Sequence, residues 1–553
     1  MRKTLSIVLS VVMILSACCF ALPVSAAPEG TPINTADEFM AMAADGTYYL
    51  NADITLAASY EAPFSGTIDG NGKTVTISAP MFKEFNGTAK NLTINGSINS
   101  DSDAGSLAVT STAGMVVENV TTNVNINVIG TGKHAGGLFA TNYGMEVTST
   151  YTNCVNNGNI YVDTAEDKPR GGGFGGIGEN SIFTNCVNNG DVYVKGTTIC
   201  AAGFLARPVL HPGLNTAEAY FCVNNGNITS EDLNTGAASS DAAGIFGYCG
   251  SSGNIGFYRI YGCLNTGNIT GQRYTGGLCS YVYGQASQFI DIQFSVNTGD
   301  LVYGRTGESN NTTNCFASDF IAYTNTTTTV MCYNIGMGSI KKAEGAMCTN
   351  PVALVSCSTA DASLYTLMDN YILDGSAYEN YSFTATEANA HNVLPISYAI
   401  ENGCAILTNA EELKSGKICV ALNNAGQGGE DSKYWFYQTL GTDDIPTISS
   451  ESQWVLDNNG TFVNGEKPAV AETTPVETTT EAPKDTETAA PADTTTAAPE
   501  VADTTTAAAP TTNAPTTDKT EEPSGGCGGF VALGIVACMI PAAVVICSKK
   551  KEN

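Results

Sequence analysis

Charged residues, and basic ones above all, are scarce in this sequence, and that scarcity excludes one class of partner. Charged side chains make up 14% of the 553 residues, below the roughly 25% of an average soluble domain. The 53 acidic residues outnumber the 24 basic ones, which gives a formal net charge of -29. Nucleic acids are bound by basic surfaces that displace counterions from phosphates. We therefore expect no nucleic-acid partner.

Residues that carry common catalytic and metal chemistry are also scarce. The chain has 3 histidines, His134, His211 and His391, and they lie far apart. It contains no H-E-x-x-H, G-x-S-x-G or C-x-x-C motif, so peptidase, esterase and zinc chemistry lack their usual residues. We expect no metal, no cofactor and no catalytic residue.

The N-terminus has the pattern of a secretory signal peptide. Arg2 and Lys3 precede an apolar run, and Val24-Ser25-Ala26 places small residues before a cleavage site. The pattern predicts a signal peptide over residues 1–26. Leu15-Ser16-Ala17-Cys18 resembles a bacterial lipobox, so lipidation of Cys18 is the alternative.

The C-terminus predicts a stalk followed by a membrane anchor. Residues 468–525 hold 18 Thr and 8 Pro and no aromatic residue, a composition typical of a disordered segment. The uncharged run from Phe530 to Cys547 is long enough to cross a membrane as a helix. Lysines after it favour a cytoplasmic tail. We predict a transmembrane helix at 528–548, a tail at 549–553, and a single-pass type I protein of the cell membrane with an extracellular head.

The central part of the chain is built from a repeated motif. Cys154-Val155-Asn156-Asn157-Gly158 recurs with small changes in the segments Asn153–Ile160, Asn185–Val192, Phe221–Ile228, Gly262–Ile269 and Phe294–Leu301, with a shorter sixth copy at Met331–Gly336. Short apolar stretches between Gly and Asn, without helical periodicity, predict strands. A unit of this size cannot bury a core alone. We therefore predict an all-β fold in which the units stack into a right-handed parallel β-helix.

Alignment of the copies places like residues in columns. The resulting structural ladder consists of Cys154, Cys186, Cys222, Cys263, Cys332, Asn156, Asn188, Asn224, Asn265 and Asn297, with Asn334 extending the Asn column. Stacked amides can hydrogen-bond from coil to coil, and the Gly two residues after each Asn is expected to supply a positive φ. Ser295 replaces Cys in the fifth copy, which favours buried free thiols. Disulfide bonds are the alternative.

These motifs resemble the GLUG-type repeat regions of bacterial surface proteins. The segment Phe64–Ile77 is similar to the first coils of that family, and Tyr434–Pro446 is similar to its closing segment. The resemblance covers roughly residues 34–448 and implies a solenoid of parallel strands. It implies no particular activity, since such repeats occur in adhesin-like proteins and beside unrelated catalytic domains.

The pattern divides the head into an N-terminal cap with the first coils, the repeats and a closing region, at residues 27–90, 91–342 and 343–467. Two short capping helices are expected at its ends, where an open coil would expose unpaired strand edges. The capping box Thr35–Glu38 precedes one at Phe39–Ala43, and Thr408–Glu411 opens the other near Leu413.

Several residues that could carry chemistry have a structural explanation in the repeat. Gly173–Gly178 matches the dinucleotide-binding glycine pattern but lacks a following helix, which indicates a repeat turn. Asp191 and Asp300 occupy a column where other copies have Asn, which indicates a turn residue rather than a general acid. Asp69 lies in a turn sequence, and Asp241 is expected in a loop without a second carboxylate nearby.

The sequence therefore predicts an adhesin-like recognition protein of the cell surface, which presents a β-helix on a stalk. Its expected partners are carbohydrate or another surface protein, together with the membrane that holds the C-terminal helix. Two alternatives remain. One is a polysaccharide lyase or glycoside hydrolase built on the same fold, and the other is a structural spacer without a ligand.

Overall fold

The strands of the computed structural model pair in parallel from one coil to the next, as the repeats predict. The structure describes residues 28–456 except 145–146, 211–215, 234–239, 251–255, 284–287, 306–314, 326, 347–353, 358–363, 374–392, 395–398, 401–403, 426–434 and 450–454. The predicted signal peptide, stalk and transmembrane helix lie outside these residues. Within them, no helix is both long enough and apolar enough to cross a membrane.

Sheet 1 is the broad side of the solenoid. It begins with short strands, which the two long strands Thr88–Ser100 and Val116–Gly130 follow. Between residues 149 and 342 each coil contributes three shorter strands, because the Cys and Asn-Gly positions interrupt the ladder. Its strands are Thr31–Ile33, Thr47–Leu50, Ile54–Leu56, Thr67–Asp69, Thr74–Ile77, Thr88–Ser100, Val116–Gly130, Ser149–Thr152, Val155–Asn156, Ile160–Asp167, Ser181–Thr184, Val187–Asn188, Val192–Thr197, Thr216–Tyr220, Val223–Asn224, Ile228–Asp232, Gly256–Tyr261, Leu264–Asn265, Ile269–Gly271, Gln288–Gln293, Val296–Asn297, Leu301–Tyr303, Thr328–Cys332, Ile335–Gly336, Ile340–Lys342, Tyr365–Met368, Asn370–Leu373 and Ala405–Thr408.

Two narrower sheets complete each coil. Sheet 2 contains Ala104–Gly105, His134–Gly136, Arg170–Gly172, Cys200–Ala202, Asp241–Ala243, Tyr274–Gly276 and Phe316–Ser318. Sheet 3 contains Phe82–Glu84, Ala108–Ser111, Phe139–Asn142, Gly175–Glu179, Leu205–Val209, Phe246–Gly250, Cys279–Tyr283, Ile321–Asn325, Val355–Cys357 and Val393–Leu394. The last of these strands pairs in the antiparallel sense.

The core runs along the inside of the stack in columns of like residues. Ile160, Val192, Ile228, Ile269 and Leu301 align through the strand register and are all buried. Side chains alternate between the two faces of a strand. Each inward position therefore lies over the same position of the previous coil, and the apolar surface that one repeat leaves exposed is covered by the next.

The first predicted capping helix is present but begins earlier than expected. Helix α1 spans Ala36–Met40, and the Thr35 side chain accepts a hydrogen bond from the Glu38 amide at its N-terminus. The Glu38 carboxylate in turn accepts from the backbone N–H of Asn34 at 2.6 Å. These two contacts satisfy backbone donors of the first turn, which is why the helix starts directly after Thr35.

The closing region also departs from expectation. Strands Tyr365–Met368, Asn370–Leu373 and Ala405–Thr408 continue sheet 1 beyond residue 342. Helix α2, Ala410–Lys414, has Asn409 rather than Thr408 at its N-cap, because Thr408 still belongs to the preceding strand. Helix α3, Lys417–Ala425, follows at once, and a small sheet is formed by Trp435–Thr439, Thr447–Ser449 and Val455–Leu456.

Candidate functional site

The Asn column forms a continuous chain of hydrogen bonds along the stack. The Nδ2 atom of Asn156 donates to Oδ1 of Asn188 at 2.7 Å, and the same contact joins Asn188 to Asn224, Asn224 to Asn265 and Asn265 to Asn297. All five side chains are buried. A buried amide without partners costs free energy, so this column holds the coils in register and is part of the scaffold.

The glycines that follow these asparagines are present for a reason other than the one expected. None of Gly158, Gly190, Gly226, Gly267 and Gly299 has a positive φ. A Cβ atom at Gly190 would lie 1.9 Å from the carbonyl oxygen of the glycine one coil earlier. Only glycine allows the backbones to approach this closely.

The positive φ belongs to the residue before the Cys column. It is 53° at Asn153, Asn185 and Phe221, 62° at Gly262 and 51° at Phe294. Asn and Gly adopt this conformation readily, whereas Phe does so at some cost.

The first four cysteines of the column are free, buried thiols. Their sulfur atoms donate to backbone carbonyls, as Cys186 does to Tyr151 O at 3.3 Å. Ser295 makes the equivalent contact to Ile260 O at 3.1 Å. Burial raises the pKa of Cys222 well above its ordinary value, so this thiol stays protonated and unreactive.

The sixth copy is displaced from the predicted alignment. Strand register pairs Cys332 with Gln293, so Cys332 lies outside the Cys column. Asn334 precedes Ile335, which pairs with Val296, and this places Asn334 beside Ser295. Its Oδ1 accepts from the Ser295 amide at 2.9 Å. The sequence alignment was wrong here by two residues.

The column of Asn and Asp residues that contains Asp191 and Asp300 accepts hydrogen bonds from the backbone of the next coil. Asp191 N–H donates to Asn159 Oδ1 at 2.9 Å, and Asp191 Oδ1 accepts from Asn227 N–H at 2.8 Å. Asp300 Oδ1 accepts in the same way from Ser339 N–H at 3.0 Å. Only an acceptor oxygen is needed at this position, and both Asn and Asp supply one.

Sheets 2 and 3 meet in a corner whose outer surface collects unusual side chains. The connection between the two sheets is short and brings their outer faces together. For example, the thiol of Cys200 on sheet 2 donates a hydrogen bond to the carbonyl oxygen of Ala206 on sheet 3, at 2.8 Å. We call this surface the corner. On the sheet 2 side, register aligns His134, Arg170, Cys200, Asp241, Tyr274 and Phe316. On the sheet 3 side lie Thr141, Ile177, Arg207, Tyr248, Tyr281 and Tyr323.

Small residues between the two rows make the corner possible. Ala140, Gly176, Ala206, Gly247, Ser280 and Ala322 occupy the first outward position of the sheet 3 strands. A Cβ at Gly247 would lie 2.3 Å from the Cys200 sulfur. The small side chains therefore give the larger ones of sheet 2 room to pack.

Aromatic rings dominate one end of the corner. The rings of Tyr274 and Tyr281 stack with centroids 4.5 Å apart, and Tyr274 stacks on Phe316 at 5.8 Å. Tyr281 also contacts Tyr248 at 5.3 Å and Tyr323 at 5.5 Å. Burial raises the pKa of Tyr248 to about 12, so its hydroxyl is a hydrogen-bond donor at neutral pH.

Basic residues occupy the other end of the corner. Arg170 is 5% exposed. Arg207 is half-buried, and the guanidinium group of Arg207 lies 5.7 Å from the centroid of the Tyr248 ring. Burial, with smaller effects from Arg170, Lys133 and Arg207, lowers the pKa of His134 to about 4, although Asp103 opposes the shift. His134 is therefore neutral at pH 7.

A second polar cluster lies on the outer face of sheet 1. Arg259 pairs with Glu218 at 2.9 Å, and register places Asp291 on the other side of Arg259. Tyr220 donates to Glu218, and Tyr261 donates to Asp291. Burial raises the pKa of Asp291, against the hydrogen bonds from Tyr261 and Gln293.

Neither cluster was found from the sequence, because its members are separated by tens of residues and lie outside the repeated motif. Asp241, expected in a loop, instead begins a strand of sheet 2 and is buried. Asp69 accepts from the Asn71 amide at 2.8 Å within its turn. Gly173–Gly178 forms the connection from sheet 2 to sheet 3 and the following strand, with no helix. Within the described residues, no group of His, Cys, Asp and Glu could hold a metal ion.

Comparison with known proteins adds little. No family model matches the chain, and no curated protein matches it. A crystal structure described as a "putative immunoglobulin A1 protease" from Bacteroides ovatus is similar over 77% of this chain and 95% of its own, with 14% identity and a TM-score of 0.30. A likeness this weak carries no conclusion about function.

Proposed function

We propose that this protein is an adhesin-like recognition protein of the cell surface and that it binds carbohydrate in the corner. The observation that carries the proposal is the row of tyrosines at 248, 281 and 323, which runs along the stack beside Arg207 and Arg273. Aromatic rings pack against the apolar faces of sugars, while phenol and guanidinium groups donate to their oxygens. Another surface protein is the second kind of partner that the sequence suggests.

The shape of the corner suits an extended chain. Residues recur at every coil, about 4.8 Å apart, so Tyr248, Tyr281 and Tyr323 offer contacts at regular intervals to a polymer lying along the stack. Tyr283, 43% exposed, lies beyond Tyr281 and contacts Tyr248 at a ring-centroid distance of 6.4 Å. The tyrosines are held by one another, so little conformational entropy is lost when a ligand binds.

The test is a glycan array probed with the purified full-length chain, with Tyr281→Ala and a matched control, Tyr161→Ala. Tyr161 is 37% exposed and stacks on Tyr193 on sheet 1, so it is not part of the corner. Binding lost in Tyr281→Ala and kept in Tyr161→Ala supports the proposal. Equal binding by both variants places any site elsewhere, and no binding by the parent chain leaves the spacer alternative.

A second candidate function is glycoside hydrolysis at the sheet 1 cluster. Glu218 and Asp291 lie two coils apart, a backbone separation of roughly 9.6 Å, and the acid and base of inverting enzymes are about 6.5–9.5 Å apart. The raised pKa of Asp291 suits a general acid. Reducing-sugar release and unsaturated-product absorbance, measured on each glycan that binds, test this candidate. Turnover abolished by Asp291→Asn would favour the hydrolase over simple recognition.

A further inference from the structure

The guanidinium group of Arg170 is buried without a carboxylate partner. The residue is 5% exposed, and in the described part of the chain it makes no ion pair. Both of its hydrogen bonds come from Nη1, to Pro169 O at 2.9 Å and Thr198 O at 2.5 Å, and Nε has no partner. A buried charge is costly unless it is paired. The Nε–H group of Arg170 is therefore a buried donor whose hydrogen bond no described residue accepts.

Two further nitrogen atoms in the same part of the corner lack partners. The Nε atom of Arg207 and the Nδ1 atom of His134 are buried and make no hydrogen bond with any described residue. Register pairs His134 with Arg170, and the charge of Arg207 is felt at both residues. Three unsatisfied nitrogens from adjacent coils thus lie in one place.

The arginines of the chain are concentrated here despite its net charge of -29. The sequence contains 6 arginines, and Arg170, Arg207 and Arg273 lie at or beside the corner. Arg259 and Arg305 are paired with Glu218 and Asp232 at 2.9 and 2.6 Å. On a chain with a net negative charge, a cluster of arginines is favoured over the rest of the surface as the place where an anionic group binds.

Acidic side chains also lie at this end of the corner. Asp103 accepts hydrogen bonds from the backbone N–H groups of Lys133 and His134 at 2.6 and 2.9 Å. Glu179 and Asp241 are buried nearby. Asp241 lies two coils beyond Arg170 in the register, so negative charge borders the basic end of the corner on the side of the tyrosines.

We propose that the basic end of the corner binds the carboxylate of an acidic sugar, so that the preferred ligand is a uronic-acid-containing glycan. A carboxylate matches the Nε and Nη2 edge of a guanidinium with two parallel hydrogen bonds. The tyrosines of the same corner, two to four coils further along, hold the neutral part of the chain. The inference rests on the proposed function and adds the chemical class of the glycan.

The experiment compares binding of the full-length chain to polygalacturonate, to the same polymer with its carboxylates methyl-esterified, and to a sulfated glycan. We expect polygalacturonate to bind at least about tenfold more tightly than the ester, as expected for one charge-assisted contact, and to lose that advantage at high salt. Arg207→Gln is expected to abolish the preference, so that the acid and the ester bind with equal affinity. Lys341→Gln, an exposed cation on sheet 1, is the matched control.

The outcomes separate the inference from the proposed function. Equal binding to the acid and the ester, or a preference that survives both Arg207→Gln and Arg170→Gln, overturns the inference and leaves carbohydrate recognition standing. Stronger binding to the sulfated glycan rejects the carboxylate as the group recognised. Failure to bind any of the three polymers also overturns the inference, and the glycan array then decides whether the proposed function stands. Thermal melting of each variant shows whether it is folded, and Arg207→Gln remains informative if the buried Arg170→Gln does not fold.

Discussion

The Nδ2 atom of Asn297 donates a hydrogen bond to Oδ1 of Asp319 at 2.6 Å, and this contact ends the ladder of asparagines. Each earlier member donates to the asparagine of the next coil. In the next coil, the residue in register with Asn297 is Gly336. The carboxylate of Asp319 reaches the same place from sheet 2, so the acceptor comes from a different strand.

Two positions have exchanged their roles at this coil. Asp319 follows Ser318, which pairs with Gly276, so Asp319 stands where earlier coils have the second glycine of the Gly-Gly motif. A Cβ at Gly336 would lie 2.6 Å from Oδ2 of Asp319. At this coil the polar side chain that contacts Asn297 comes from the sheet 2 side, at Asp319, and the position on sheet 1 is the glycine, Gly336.

This exchange predicts a non-additive pair of substitutions. Asp319→Gly should destabilise the protein by about 1–3 kcal/mol, because the buried amide of Asn297 loses one of its two acceptors and keeps only Gly299 O. Gly336→Asn alone should also destabilise it, because its side chain meets the carboxylate. The double variant restores the arrangement of the earlier coils and should be more stable than the sum of the two changes predicts. Denaturant unfolding of the four proteins measures the coupling, and strict additivity would contradict the exchange.

The glycines beside the ladder should not tolerate a side chain. A Cβ at Gly190 meets a backbone oxygen at 1.9 Å, so Gly190→Ala should cost more than about 3 kcal/mol through overpacking. Gly72→Ala is the control, since φ there is 72° but nothing lies within 4 Å. It should cost only about 1 kcal/mol, from backbone strain alone. Similar melting temperatures for the two variants would show that close approach is not the reason for the glycine.

The buried thiols should react only after unfolding. Ten cysteines of the described residues are buried, and burial raises the pKa of the thiols of Cys186, Cys200 and Cys222. A thiol reagent should label the native protein slowly and the unfolded, unreduced protein extensively, as mass spectrometry would show. If the unfolded protein presents no free thiol, disulfide bonds replace this interpretation.

Serine should replace a cysteine of the column at little cost. The Ser295 hydroxyl already makes the carbonyl contact that Cys186 makes through sulfur. Cys186→Ser is therefore expected to destabilise the protein by less than about 1.5 kcal/mol, whereas Cys186→Phe should prevent correct stacking. The measurement is the unfolding midpoint, and a large loss for serine would mean that the sulfur packs in a way that oxygen cannot reproduce.

His134 should make stability depend on pH. Its pKa is lowered to about 4 by burial, while Asp103 opposes the shift and Arg170, Lys133 and Arg207 add to it. A group with a lowered pKa in the folded state binds protons less readily than in the unfolded state. The contribution of neutral His134 to the free energy of unfolding is therefore fully present above about pH 6.5 and is lost as the pH falls to about 4.

The measurement is the melting temperature of the parent chain and of His134→Gln between pH 8 and pH 4. We expect the difference in stability between them to change by up to roughly 3 kcal/mol across that window, in the direction of a less stable parent at low pH. Parallel curves for the two proteins would show that His134 titrates normally. Carboxylates elsewhere titrate in both proteins and cancel in the difference.

The repeated part of the fold was predictable because its determinants are local and recur. The Asn, Gly and Cys positions follow one another within a single motif, and the same motif appears in successive coils, so alignment brings together residues that the fold stacks. The prediction was wrong for the backbone angle φ of the glycines, which was inferred from residue type alone. The glycines were assigned a positive φ that in fact belongs to the residue before the Cys column, which is Asn, Phe or Gly in the different coils.

Alignment also has a limit where the motif decays. Met331–Gly336 retains a Cys and an Asn, but strand pairing shifts both from their expected columns by two residues. Hydrogen bonding to the neighbouring coil determines register there, since a slip of two residues keeps every side chain on its own face of the sheet. Residue identity cannot distinguish two registers that differ by this amount.

By itself, then, the sequence determined that this protein is a stack of parallel coils, since each repeat is too small to bury its own apolar residues and must cover the next. Only the tertiary structure decided which polar residues meet. Arg170, Arg207 and Tyr281 lie on separate coils and on two different sheets, and no local pattern joins them. They share one surface because small residues such as Gly247 leave room for the outward side chains of sheet 2 to pack against sheet 3.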